Sequence, residues 1–85
     1  MKLILTERFK KDFKGLSKEV RKAAEGKLRL LEGNIRHPSL RVKKVRNREG
    51  VFEGSVNMNY RFLFLITSEG YTLLRISQHD ILEKR

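Results

Sequence analysis

Residues 51–79, VFEGSVNMNYRFLFLITSEGYTLLRISQH, decide the fold of this 85-residue chain, because they read as three consecutive antiparallel strands joined by two short turns. In Val51 to Met58, the residues Phe52, Gly54, Val56 and Met58 share one parity while Glu53, Ser55 and Asn57 share the other. That is the period of a strand with one apolar face. Tyr60 to Thr67 is apolar on both parities, with Arg61 its only charge, as suits a central strand covered on both sides. The connections Asn57-Met58-Asn59 and Ser68-Glu69-Gly70 are short and contain residues that accept a positive φ.

Centring each turn on its middle residue sets Ser55 opposite Arg61, Glu53 opposite Leu63, Leu63 opposite Arg75 and Arg61 opposite Ser77. Glu53, Ser55, Arg61, Arg75, Ser77 and His79 then share one face, and Phe52, Val56, Phe62, Phe64, Leu74 and Ile76 form a core on the other. A slip of one residue in either hairpin would drive the charged set into that core, and the cost of burying unpaired charge selects this register.

Working outward toward the N-terminus, Met1 to Leu5 reads as an edge strand. Thr6 is placed to cap a first helix carrying Phe9, Phe13 and Leu16, which Gly15 ends. Ser17 can cap a second helix whose buried stripe is Val20, Ala24, Leu28 and Leu31, with Gly33-Asn34 as its stop. Asn34 to Pro38 connects to a further strand over Leu40 to Val45, and Arg46 to Gly50 forms a loop before Val51. After His79 the tail DILEKR is short and mixed in charge. The expected order is β-α-α-β-β-β-β over one domain spanning residues 1–85. This is an α+β fold with an N-terminal helical hairpin packed on one face of a twisted antiparallel sheet.

Composition narrows the function. The chain has no cysteine, which excludes disulfides and thiolate metal sites and suits a reducing cytoplasm. The apolar run in MKLILTERF is too short for a signal peptide or a membrane span. The net charge is +10, and residues 1–50 hold all of it, with 16 Lys and Arg against 6 acids, while residues 51–85 hold 4 against 4. In the run Arg41 to Arg48, five of eight residues are cationic. Such a field draws polyanions, nucleic acid first, with a solvated surface or an acidic protein partner as the alternatives.

On the exposed face, Glu53, Arg61 and His79 match the needs of RNA cleavage by internal transphosphorylation. A base takes the proton of the ribose 2′-OH, a cation balances the charge growing on the phosphate, and an acid protonates the departing 5′-oxygen. Imidazole serves as acid or base near neutrality, and a guanidinium grips phosphate through two parallel hydrogen bonds. Lys43, Lys44, Arg46, Arg41 and Arg75 are the candidates for holding RNA on either side. Each catalytic candidate also has a structural alternative: Glu53 can pair with Arg61 or Arg75 across the sheet, and His79 can be an exposed strand end. His37, before Pro38, reads as structural, and Tyr60 and Tyr71 as flanks of the core.

The helical hairpin, HPSLRVKKV, GVFEGSV, NYRFLFLI and the closing LLRISQHDILEK together resemble the RelE/ParE superfamily of toxins from type II toxin–antitoxin modules, with ISQHDILEK most similar to YafQ-like members. The resemblance covers essentially the whole chain. It implies a RelE-like, microbial-ribonuclease-like fold and a cytoplasmic toxin that enters the ribosomal A site, meets 16S rRNA and cleaves mRNA there. It also implies a free monomer, silenced as a hetero-oligomer with a cognate acidic antitoxin, and no cofactor, metal or membrane. The Arg of the Tyr-Arg strand matches Arg61, and the C-terminal His matches His79. The RelE lysine pair falls at Glu53 and Ser55, and the YafQ aspartate falls at Asn59. The alternative is a toxin that cuts no RNA, either a ParE-like inhibitor of DNA gyrase or a weakly active one working through its antitoxin complex.

Overall fold

The computed structural model describes residues 1–83. The chain runs β1 (Lys2–Leu5), α1 (Glu7–Lys14), α2 (Lys18–Gly33), a single 3₁₀ turn (Pro38–Leu40), β2 (Lys43–Lys44), β3 (Val51–Ser55), β4 (Tyr60–Thr67), β5 (Gly70–Gln78) and α3 (His79–Glu83). The strands form one sheet in the order β1-β5-β4-β3-β2.

The helices begin where hydroxyl caps permit. Thr6 Oγ1 accepts the Phe9 N–H at 3.1 Å and donates to the Leu73 carbonyl at 2.8 Å, so one side chain both starts α1 and pins it to β5. A cap of this kind contributes about 1 kcal/mol. Ser17 Oγ accepts the Val20 N–H at 3.3 Å to open α2, and Asn34 closes it by donating its N–H to the Leu30 carbonyl. Phe9, Ala24, Leu28 and Leu31 are buried beneath the hairpin against Val56, Phe62, Phe64, Tyr71, Leu73 and Ile76 of the sheet. Each of the large side chains contributes on the order of 1.5–3 kcal/mol by leaving water. Gly54, opposite Phe62, is required by this packing, since a Cβ there would lie 2.3 Å from the Phe62 ring.

All four cross-strand pairs expected from the turns are present: Ser55 with Arg61, Glu53 with Leu63, Leu63 with Arg75, and Arg61 with Ser77. The route differs in the second hairpin. Thr67 pairs with Gly70, leaving a tighter turn of Ser68 and Glu69, and a bulge between Leu63 and Phe64 absorbs the offset. Phe64 therefore pairs with Leu73, and Leu73 rather than Leu74 enters the core, with 0% exposure.

Three further features depart from the expectation. β1 joins β5 in parallel, so four strands are antiparallel and the sheet as a whole is mixed. Gly70, at φ +150, permits this pairing, because a Cβ there would meet the Lys2 carbonyl at 2.1 Å. The strand expected over Leu40 to Val45 shrinks to Lys43–Lys44, since Leu40 is drawn into the core by the 3₁₀ turn and Arg41 follows in a left-handed conformation. The described part of the tail, through Glu83, forms α3, which lies against β4 and β5, so the second face of the sheet is partly covered.

Candidate active site on the second face of the sheet

Strand alternation places Glu53, Arg61 and Ser77 on the face opposite the aromatic core. Glu53 on β3 and Arg61 on β4 are diagonal neighbours, two pairs apart in the ladder, a spacing that long side chains bridge. Their charges meet at 3.4 Å between Glu53 Oε2 and Arg61 Nε, with the side chains 12% and 18% exposed. The carboxylate expected to be either a base or a pairing group is thus an ion-pair partner of Arg61 in the free protein. Arg61 Nη1 also donates to the carbonyls of Asn57 and Tyr60, the latter at 3.0 Å, so the guanidinium is anchored through Nε and Nη1. Its Nη2 makes no hydrogen bond among the described residues.

His79 directly follows Gln78, the last residue of β5, and begins α3. Its N–H donates to the Asn59 carbonyl at 2.8 Å, which extends the β4–β5 ladder one step past the Tyr60–Gln78 pair. Ser77, the partner of Arg61, lies two residues before it. His79 thus follows the ladder partner of Arg61 by two residues, at the point where β5 gives way to α3, and it is half-buried.

Beside the Glu53–Arg61 pair opens a cleft of about 680 Å³, lined by Lys43, Lys44, Val45, Arg46, Asn47, Arg48, Glu53, Leu63 and Leu82. Lys43 pairs with Glu53 in the sheet and brings the cationic run to the site. Lys43, Lys44, Arg46 and Arg48 are exposed, and none of them makes an ion pair among the described residues. Asn47, at φ +65, turns the loop so that this run curls along the cleft. Leu63 is 3% exposed although it stands on the second face, and α3 supplies Leu82 beside it as an apolar wall.

Two of the cations expected to hold RNA are elsewhere. Arg75 donates from Nε to Asp12 Oδ2 at 2.7 Å and from Nη2 to Oδ1 at 3.5 Å. The physical reason is the sheet edge: β1 stops at Leu5, opposite Leu73, and the Ile76 N–H beyond it is satisfied by Asp12 Oδ2 at 3.1 Å. Arg75 balances the charge of that cap, which links α1 to β5. Arg41 lines a separate shallow depression with Ile35, Arg36, His37, Pro38 and Val42. His37 has the structural part expected of it, its Nδ1 accepting the Ser39 N–H at 3.2 Å to start the 3₁₀ turn. Tyr71 is buried in the core and Tyr60 packs at its margin, as expected.

The cleft also uses residues the sequence reading did not single out. Arg48 was legible as part of the cationic run. Leu82 had no signal of its own. Among the described residues, no three His, Asp or Glu side chains come together as a metal site would need, and no helix is long and apolar enough to cross a membrane.

By sequence, no family model and no curated protein matches the chain. Shape is more informative. YafQ from E. coli strain BL21(DE3) superposes with a TM-score of 0.81 over 96% of this chain and 97% of its own, at 15% identity. The fold is that of the RelE-type toxins. A chain of the RelB–RelE antitoxin–toxin complex from Methanococcus jannaschii matches at a TM-score of 0.73 over 95% of each chain and 14% identity. A copper-bound mutant toxin from Helicobacter pylori matches at 0.72, over 96% of this chain and 98% of its own, at 23% identity. The RelE-type fold thus extends over about 95–96% of the chain.

Proposed function

We propose that this protein is the toxin of a type II toxin–antitoxin module and acts as a ribosome-dependent endoribonuclease on mRNA in the A site. The observation that carries the reading is Arg61, a guanidinium clamped between a carboxylate and the carbonyls of Asn57 and Tyr60, whose ladder partner Ser77 lies two residues before a histidine and whose ion-pair partner Glu53 lines a cation-rich cleft. In the proposed reaction the ribose 2′-oxygen attacks phosphorus as its proton passes to a base, and the P–O5′ bond breaks as the 5′-oxygen takes a proton from an acid. Cyclic phosphate and 5′-hydroxyl ends result. Arg61 meets the charge that develops on the phosphoryl oxygens through its Nη2 edge. Glu53 and His79 divide the base and acid roles. Lys43, Lys44, Arg46 and Arg48 hold the flanking backbone, and counterion release makes that grip dependent on salt.

The toxin folds that match this chain include YafQ in complex with DinJ and RelE in complex with RelB. They support an antitoxin as the partner here. The exposed cations favour an acidic chain that folds as it docks. The place of action is the cytoplasm, where ribosomes and the antitoxin are found.

Mapping mRNA ends in cells expressing the protein tests the reading. The expected outcome is codon-linked cuts that disappear in His79→Ala and Arg61→Ala, since loss of a general acid or base costs about 10²–10⁴-fold in rate. Intact mRNA accompanied by DNA damage would overturn it in favour of gyrase as the target.

A further inference from the structure

The contacts that hold Arg61 and the start of α3 converge on the turn between β3 and β4, which is closed by the N–H groups of Val56 and Asn57 donating to the Tyr60 carbonyl at 3.0 and 3.4 Å and, from within, by one side chain. Asn57 Oδ1 accepts the N–H of Asn59 and the N–H of Tyr60, both at 2.9 Å, the local hydrogen bonding by which asparagine shapes a turn. The Asn59 carbonyl, on the same peptide as the Tyr60 N–H, is oriented by this contact, and the carbonyls on either side of it are also used by the site. Those of Asn57 and Tyr60 accept Arg61 Nη1, and that of Asn59 accepts the N–H of His79. The Asn57 carbonyl also takes the Ser55 hydroxyl at 3.2 Å, which ties the turn back to β3.

We infer that Asn57 is a positioning residue, whose side-chain oxygen sets the Arg61 guanidinium and the backbone of His79 together. The inference rests on the nuclease reading of Glu53, Arg61 and His79. An arginine side chain is rich in rotamers, and fixing its Nε and Nη1 leaves the Nη2 edge as the surface offered to a phosphate. Asn57 itself is exposed and outside the aromatic core. Its removal therefore loosens the geometry of the site while the core stays packed. A residue with no contact to substrate would thus govern turnover, because a misplacement of about 1 Å costs on the order of 10²-fold.

Asn57→Ala deletes the acceptor, whereas Asn57→Asp keeps an oxygen able to close the same turn. In single-turnover cleavage on programmed ribosomes, Asn57→Ala is expected to lower kcat by roughly 10–100-fold with KM changed by less than about twofold. Asn57→Asp should recover most of the rate, an outcome that a loss of folding would not produce. On the free protein labelled with ¹⁵N, the Arg61 Nε–H and the His79 amide signals should both move in Asn57→Ala and return toward their places in Asn57→Asp. Unchanged turnover and signals in Asn57→Ala, or an Asp variant as impaired as the Ala variant, would overturn the inference. Wild-type protein that cuts no RNA would sink the nuclease reading by itself, and the spectra would then decide whether Asn57 positions both groups.

Discussion

On one side of β4, Phe62 and Phe64 have no exposed surface; on the other, their neighbours Arg61 and Leu63 border an ion pair and an open cleft. The same eight residues thus serve two purposes at once. The first face is closed by α1 and α2 and holds the fold together through apolar area. The second is partly covered by α3, and its charges meet solvent or one another. What separates the two is the direction in which alternate side chains point, and a strand can assign stability to one face and chemistry to the other with no extra structure.

This contrast can be broken by substitutions on each side. Phe62→Ala should have the largest effect, about 3–5 kcal/mol of stability, because a fully buried ring leaves a cavity between β4 and the helices. Thermal or urea unfolding checks it, and a loss below about 1 kcal/mol would mean that the first face does not carry the fold. Asp12→Ala lies on the boundary between the two faces. It leaves the Ile76 N–H and the Arg75 guanidinium without their acceptor, and about 1–3 kcal/mol should be lost, with faster amide exchange at Ile76 as its local signature. Replacing Lys43 and Lys44 together by Ala should change stability by less than about 0.5 kcal/mol. Binding of the protein to single-stranded RNA should become less salt-dependent, the slope falling by about one per lysine. A double variant that unfolds as readily as Phe62→Ala would erase the distinction between the faces.

The arginines of the second face show how far sequence reasoning reaches. Arg61 pairs with Glu53 as cross-strand spacing allows, since both lie in one hairpin closed by a short turn. Arg75, on the neighbouring strand, finds its carboxylate 63 residues away on α1. No local pattern encodes that meeting, which arises because β1 is too short to cover the edge of β5. The cationic run was legible by composition, whereas its curl along the cleft, with Arg41 left outside, depends on two left-handed residues, Asn47, of a type that accepts a positive φ, and Arg41, which no local pattern marks as such.

What this sequence determined alone follows from local chemistry. Alternating side chains chose the faces, hydroxyl residues chose the helix starts, and short polar turns chose which residues stand opposite one another near Arg61. Tertiary structure decided what depends on distant surfaces meeting: β1 lying parallel to β5, the bulge that exchanges Leu74 for Leu73, the tail turning back as α3, and Asp12 reaching Arg75. Turns and caps are settled within a few residues, where the chain has little choice. Edges and coverings are settled only when separate elements pack, because an open amide or an exposed leucine there takes whichever partner the assembled fold brings within reach.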